Sequence, residues 1–191
     1  MTKNIILAGV GGQGILTIAA IIDQAAMFNN LFIKQAEVHG MSQRGGAVQS
    51  HLRISDTEIY SDLISMGTAD MIISLEPMEA LRYMPYLSNK GVIITAIKPV
   101  INIGNYPDEN RVIDEIKNSG INYHLLDIES LAHKAGNLRT RNVVMVGAAC
   151  KYLDIPQDLL KKSIRQLFAA KGDEIIRQNL EAFKLGLDAK E

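Results

Sequence analysis

The chain carries a glycine-rich turn near its N-terminus whose spacing is typical of a phosphate-binding site. Gly9, Gly11 and Gly14 form the pattern G-x-G-x-x-G, and Gly12 and Gln13 stand between the last two. Glycines let the backbone turn tightly, and the N–H groups that open the following helix point at an anion near the positive end of its dipole. The turn therefore predicts a cofactor-binding site for a phosphate-bearing ligand, with the Gln13 amide as a further contact.

Two other interpretations of the glycine turn stay open. In one, the glycines only let the preceding strand and the following helix pack closely, and no ligand binds. In the other, the turn belongs to a dinucleotide site, which also needs an acidic residue about 20 residues further on to hold the ribose. Lys34 stands at that distance from Gly14, and Glu37 comes slightly later. The pattern of a dinucleotide site is therefore incomplete.

A second candidate site is the ten-residue segment E-V-H-G-M-S-Q-R-G-G. It combines a carboxylate, an imidazole, a hydroxyl, an amide and a guanidinium, on Glu37, His39, Ser42, Gln43 and Arg44. Arg44 could hold a phosphate or carboxylate bidentately, and Glu37 could orient His39 or pair with Arg44. Residues so close in sequence rarely form a catalytic triad, and the G-x-S-x-G pattern is absent. We predict a recognition loop that supports catalysis, at the carboxyl edge of the predicted sheet.

Three polar residues further along the chain are also candidates. Asn137 and Asn142 lie in a polar segment ahead of an apolar helix, where asparagine serves either as a ligand contact or as a turn and capping residue. Glu76 directly follows a predicted strand, so it is either a site residue or the cap of the next helix. We count both asparagines among the predicted cofactor-binding residues and leave the two roles of Glu76 open.

The composition excludes several classes of function. The 191 residues include 20 basic and 21 acidic side chains, so no overall field favours nucleic acid or an anionic membrane. The one cysteine, Cys150, excludes a disulfide framework and an iron–sulfur cluster held by four thiolates of this chain. The histidines lack the spacing of metal ligands, and no apolar run approaches the roughly 18 residues of a membrane span. We expect a cytoplasmic protein that binds no metal, nucleic acid or membrane.

The elements that position these residues follow an α/β pattern. Apolar runs predict strands at 4–8, 31–36, 47–54, 70–75, 91–96 and 122–126, with helices between most of them. We expect a single domain over residues 1–191, with a doubly wound, mostly parallel, Rossmann-like sheet over 1–150 and a C-terminal helical extension over 151–191. A short strand at 58–60 is expected to pair with 49–53 in an antiparallel hairpin.

Several motifs, in the same order along the chain, resemble the gamma subunit or domain of the 2-oxoacid:ferredoxin oxidoreductases. They are the glycine turn, the E-x-H-G-M-S-Q-R-G-G segment, the stretches at 61–64 and 75–82, and Gly136-Asn137 followed by Asn142 and Gly147. The resemblance covers roughly residues 3–170. Within the superfamily, the H-G-M-S-Q-R-G-G form and the run E-A-L-R-Y-M-P-Y-L are most similar to the small beta subunit of the indolepyruvate branch.

The resemblance implies a subunit of an enzyme that oxidatively decarboxylates a 2-oxoacid to an acyl-CoA and passes the electrons to ferredoxin. In that family, thiamine diphosphate and iron–sulfur clusters sit on partner subunits, and the gamma domain is linked to coenzyme A. We therefore expect this chain to be inactive alone and to reach ferredoxin only through a complex with an alpha-type subunit that carries those cofactors. The alternatives are a stand-alone NAD(P)-dependent oxidoreductase and a non-catalytic regulator that binds a nucleotide or phosphate ligand.

Overall fold

A computed structural model describes residues 1–39, 45–101 and 104–189. The strands are β1 (Thr2–Val10), β2 (Phe32–His39), β3 (Ala47–Ser55), β4 (Ala69–Ser74), β5 (Leu87–Ala96) and β6 (Asn122–Leu126). The helices are α1 (Ile15–Phe28), α2 (Pro77–Tyr83), α3 (Glu109–Asn118), α4 (Ile128–Lys134), α5 (Arg141–Ala149), α6 (Gln157–Leu167) and α7 (Asp173–Leu187). Short 3-10 turns lie at Met84–Tyr86, Leu138–Thr140, Cys150–Tyr152 and Ala169–Lys171.

The six strands form one mixed sheet in the order β2-β3-β1-β4-β5-β6. β1, β4, β5 and β6 are parallel, and β3 runs antiparallel to both of its neighbours, β1 and β2. β2 therefore points in the same direction as β1, so five strands end at one edge of the sheet. This confirms the predicted α/β fold with a mostly parallel sheet, and it places the segments after β1, β2, β4, β5 and β6 along a single carboxyl edge.

The predicted strand at 58–60 is wrong. Residues 58–60 have no regular secondary structure. The strand that they were expected to join, β3, is hydrogen-bonded to β1 along one side and to β2 along the other, from Ser55 to Val48. Both of its edges are therefore occupied, and residues 56–68 instead form an irregular connection to β4.

Successive side chains along the strands point to opposite faces of the sheet and pack into two apolar cores. On the first face, Ile5 and Leu7 of β1 lie in one large buried cluster with residues of α1, α5, α6 and α7, and Cys150 is buried there too. On the second face, Ile6 joins a smaller cluster that includes Ile116 of α3 and residues of α2. Because the sheet is apolar on both faces, its central strands read as continuous hydrophobic runs.

The C-terminal helices pack on the first face through an unusually close contact between α5 and α7. A Cβ atom at Gly147 would lie 2.1 Å from the Phe183 carbonyl oxygen, and one at Gly186 would lie 2.0 Å from that of Val144. Only glycine lets two helix backbones approach so closely. Among the described residues, no helix is long and apolar enough to cross a membrane.

Candidate functional site

The glycine turn connects β1 directly to α1. Gly12 and Gly14 have φ angles of +100° and +86°, which lie in the left-handed region where side chains other than hydrogen are strained. Gly14 is the N-cap of α1, and no described side chain caps the helix. The first N–H groups of α1 therefore face the turn without a side-chain acceptor, an arrangement that suits an anionic ligand.

Gln13 holds the turn in place. Its Oε1 accepts a hydrogen bond from the Val10 N–H at 2.6 Å, and its Nε2 donates to the Leu75 carbonyl at 3.0 Å. A Cβ atom at Gly9 would lie 2.8 Å from Gln13 Oε1, so Gly9 leaves room for this side chain. Both ends of the amide are bonded to backbone, which ties the end of β1 to the end of β4. Its contact with a ligand stays a prediction.

A cavity of about 370 Å³ opens beside the turn. Its lining combines turn backbone with apolar side chains, from Val10, Gly11, Gly12, Gly14, Ile15, Leu16 and Val48. No charged side chain is among these lining residues. The cavity therefore suits an uncharged, partly apolar portion of a ligand, next to the N–H groups that open α1.

The structure brings the second candidate segment to the glycine turn. Glu37 and His39 lie at the end of β2, whereas Ser42, Gln43 and Arg44 lie outside the described residues. The described residues resume at Gly45. There the Gly11 N–H donates to the Gly46 carbonyl at 2.8 Å, and the Gly45 N–H donates to the Gly11 carbonyl at 3.4 Å. The two glycine-containing motifs are thus hydrogen-bonded to each other at the carboxyl edge of the sheet.

Asp23, on α1, is a residue that the sequence analysis missed. Burial, and secondarily the negative charge of Glu37, raise the pKa of the Asp23 carboxyl to about 7. Its Oδ1 is buried and has no hydrogen-bond partner among the described residues. Glu37 itself accepts a hydrogen bond from Gln35 Nε2 at 2.9 Å, and this amide also donates to Ser50 Oγ at 3.0 Å. The available signal was a single charged residue in the helix sequence A-A-I-I-D-Q-A-A.

The two predicted asparagines lie in different environments. Asn142 is buried, and its Nδ2 lies 3.0 Å from where a Cβ atom of Gly14 would stand. Asn137 caps the 3-10 turn by accepting from the Arg139 N–H at 3.0 Å, and it donates to Gln178 of α7 at 2.9 Å. The structure therefore places Asn142 against the glycine turn and Asn137 in contact with the C-terminal helix.

Two cations lie near Gln13 in a second groove, separate from the cavity beside the turn, and the sequence analysis did not include them in the site. Lys98 and Arg141 line a small groove together with Gln13. Glu129 lies between them, 3.7 Å from Lys98 Nζ and 3.1 Å from Arg141 Nη1, and Asp127 lies 3.4 Å from Lys98 Nζ. Both cations are about half exposed, so they can attract an anionic group at this edge although they are already paired.

The capping interpretation of Glu76 is confirmed. Its carboxylate accepts from the Glu79 N–H at 2.8 Å at the start of α2, and it also accepts a hydrogen bond from the Tyr106 hydroxyl. Burial raises the pKa of Glu76 above its usual range, and these hydrogen bonds oppose that rise. Among the described residues, no group of three or more His, Cys, Asp or Glu side chains could hold a metal ion.

Comparison with known sequences identifies relatives over nearly the whole chain. The family model for pyruvate ferredoxin/flavodoxin oxidoreductase matches residues 4–189. Indolepyruvate oxidoreductase subunit IorB of Thermococcus kodakarensis is 38% identical over 97% of this chain and 95% of its own length. The same subunit of Archaeoglobus fulgidus is 38% identical over 97% and 94%. 2-Oxoglutarate synthase subunit KorC of Methanothermobacter marburgensis is 31% identical over 78% and 76%.

Solved structures share the fold. The 2-oxoglutarate:ferredoxin oxidoreductase from Magnetococcus marinus, solved with 2-oxoglutarate, coenzyme A and succinyl-CoA bound, has a TM-score of 0.78 and 22% identity. The match covers 97% of this chain and 30% of that longer chain. The gamma subunit of a keto/oxoacid ferredoxin oxidoreductase from Geobacter sulfurreducens has a TM-score of 0.67 and 20% identity, over 98% and 99% of the two chains.

Proposed function

Because this chain belongs to the pyruvate ferredoxin/flavodoxin oxidoreductase family, as a subunit of a 2-oxoacid:ferredoxin oxidoreductase, we propose that its enzyme acts on arylpyruvates such as indolepyruvate. The reaction would consume the 2-oxoacid, coenzyme A and oxidised ferredoxin, and release an acyl-CoA, carbon dioxide and reduced ferredoxin. The 38% identity to indolepyruvate oxidoreductase subunits over nearly the full length supports this substrate class, because the 2-oxoglutarate relative is 31% identical over a shorter region.

The cofactors of this reaction would sit on a partner subunit of the alpha type. Thiamine diphosphate would supply the decarboxylation chemistry there, and iron–sulfur clusters would carry the electrons to ferredoxin. This chain has a single cysteine, which is buried, and burial raises the pKa of its thiol, so Cys150 suits the core and neither a cluster nor a nucleophile. The chain alone would therefore be inactive. Since ferredoxin and coenzyme A are intracellular reactants, we propose a cytoplasmic enzyme.

The observation that carries the role of this chain is the hydrogen-bonded junction of the glycine turn with the end of the recognition segment, between Gly11 and Gly45-Gly46. This junction puts the opening N–H groups of α1, an apolar cavity and Gly45-Gly46, which follow Arg44 in the sequence, at one sheet edge. Coenzyme A has both a phosphate-rich end and a long uncharged arm, and this mixture of donors and apolar walls fits it. We propose that the turn and Arg44 contact its phosphates, and that Ile15 and Val48 contact its uncharged arm.

Co-production with a thiamine- and cluster-bearing subunit tests the proposal. We expect a stable complex that reduces ferredoxin only when both a 2-oxoacid and coenzyme A are present, with kcat/KM higher for indolepyruvate and phenylpyruvate than for pyruvate and 2-oxoglutarate. Arg44→Ala should raise the KM for coenzyme A and leave complex formation unchanged. A complex that prefers 2-oxoglutarate would refute the substrate class. Tight binding of NADH by the isolated chain would instead favour a stand-alone oxidoreductase.

A further inference from the structure

One part of the sheet has no helix packed on its second face. α2 packs on this face over β1, β4 and β5, and α3 packs beside α2. Over β3, this face is contacted by the irregular segment 56–68, which bonds to His51 and Arg53, and by the Tyr86 ring, whose centroid lies 5.4 Å from that of His51. The register of β1, β2 and β3 puts Phe32 and Val38 on the same face as Ile6. This region is therefore open sheet partly covered by one loop and one tyrosine ring.

The open strand β2 and the loop 56–68 carry large exposed hydrophobic side chains. Their exposed fractions are 50% for Phe32, 47% for Val38, 85% for Tyr60, 56% for Leu63 and 70% for Met66. We call these five residues the apolar surface. Phe32 and Val38 stand about 20 Å apart along β2, since six residues of a strand rise about 3.3 Å each.

The loop that displays Leu63 and Met66 is held by buried groups. The Ile64 N–H donates to His51 Nδ1 at 3.0 Å, and the Ile64 side chain is buried in the second core. Arg53 Nη1 donates to the Ser61 carbonyl at 2.8 Å. Burial lowers the pKa of His51, which agrees with a neutral imidazole that accepts this hydrogen bond. The apolar side chains are thus presented by a fixed backbone, which reduces the entropy lost on binding.

The same face carries two cations, on neighbouring strands. Lys34 and Arg53 stand directly opposite each other in the β2–β3 register. Arg53 donates to Asn4 Oδ1 and to backbone carbonyls, and neither cation forms an ion pair with a described carboxylate. Like charges directly opposite each other destabilise a strand pair. A carboxylate from another molecule would relieve this repulsion.

We propose that the apolar surface, with Lys34 and Arg53, docks the partner subunit through an apolar patch that contains an acidic side chain. The inference rests on the proposed function, which requires such a subunit. The 30% coverage of the longer Magnetococcus marinus chain is consistent with it, because there the matched fold is joined to further polypeptide.

Matched pairs of variants test the surface in the full chain co-purified with the cofactor-bearing subunit. Leu63→Ser/Met66→Ser removes apolar side chains that are 56% and 70% exposed, and the control Leu138→Ser/Met27→Ser removes the same residue types at 53% and 66%. We expect the Kd of the complex to rise at least about tenfold in the first variant and to stay within about twofold in the control. Lys34→Glu should weaken the complex, whereas Lys90→Glu, at another exposed strand position, should not.

Each outcome decides the proposal. Equal binding by the surface and control variants, with unchanged thermal unfolding, would overturn the surface and leave the proposed function intact. A wild-type chain that neither binds the cofactor-bearing subunit nor supports its turnover would overturn both. Sedimentation of the wild-type chain alone is the third measurement: a homodimer that Leu63→Ser/Met66→Ser converts to a monomer would show that a second copy covers the surface, which contradicts the proposed occupant.

Discussion

The glycine turn and the contact between α5 and α7 both depend on glycine, for opposite reasons. At the turn, Gly12 has a φ of +100°, and a Cβ atom there would meet nothing within 4 Å. At the helix contact, Cβ atoms on Gly147 and Gly186 would lie about 2 Å from backbone carbonyl oxygens. The first region uses glycine for its backbone conformation and leaves open space beside it. The second uses glycine to remove all space between two helices.

The α5–α7 contact and helix α1, which follows the turn, also differ in how completely their polar groups are satisfied. Asp23, in the second half of α1, has a buried oxygen with no described hydrogen-bond partner and lies close enough to Glu37 to feel its charge. The α5–α7 contact has no such buried side-chain atom among the described residues. Unpaired buried polar groups cost stability and tend to persist where function needs them. We infer that the α5–α7 contact stabilises the fold, whereas the buried carboxyl of Asp23 on α1 costs stability.

The largest expected effect is at the helix contact. In Gly186→Ala the new Cβ would lie 2.0 Å from the Val144 carbonyl oxygen, so α7 has to move away from α5. We expect the free energy of unfolding to fall by about 3 kcal/mol. Urea unfolding followed by circular dichroism measures it. The control is Gly104→Ala, since a Cβ atom there meets nothing within 4 Å and its φ is not positive. Similar losses in both variants would refute the packing role of Gly186.

An intermediate effect of opposite sign is expected at Asp23. Its pKa in the folded chain is about 7, against 3.8 ordinarily, so between these values the folded state holds a proton that the unfolded state has lost. The free energy of unfolding therefore falls as the pH rises from 4 to 7 and stays low above that. Asp23→Asn should remove this fall and stabilise the protein by about 1–2 kcal/mol at pH 8.

Urea unfolding of Asp23→Asn at pH 5 and pH 8 measures the change. Asp114→Asn is the matched control, because Asp114 also lies on a helix but is 63% exposed. The control should keep the wild-type dependence on pH. If Asp23→Asn kept the wild-type dependence on pH too, the carboxyl of Asp23 would not be the group that titrates. The difference in buried polar groups between α1 and the α5–α7 contact would then not affect stability through ionisation.

The sheet was predictable from local patterns, but the neighbours of its strands were not. Residues 4–8 and 70–75 read as buried strands because their side chains pack on both faces, and the structure has them as β1 and β4. The prediction at 58–60 failed because it assumed that β3 had a free edge. The insertion of β3 between β1 and β2 depends on contacts between residues distant in sequence, and no local pattern encodes it.

The candidate site shows the same limit. The glycine turn was recognisable because its spacing and its place between strand and helix are local. The role of Gln13 was not, because its partner, the Leu75 carbonyl, is 62 residues away in sequence. Asp23 was missed for the same reason, since its burial, and secondarily the charge of Glu37, come from elements distant in sequence. The candidate residues could be picked out from the sequence here, but the residues that they contact in the fold could not.

The smallest change in stability, and the sharpest test of the comparison, is expected at Gly12. Gly12 and Gly67 have φ angles of +100° and +75°, and a Cβ atom at either meets nothing within 4 Å. Alanine at each should therefore cost a similar amount of stability, about 1 kcal/mol, through backbone strain alone. Of these two glycines, only Gly12 lines the cavity beside α1. We expect Gly12→Ala to raise the KM for coenzyme A in the assembled enzyme and Gly67→Ala to leave it unchanged. Equal KM values would mean that the turn is built for folding, as the α5–α7 contact is, and that the ligand binds elsewhere.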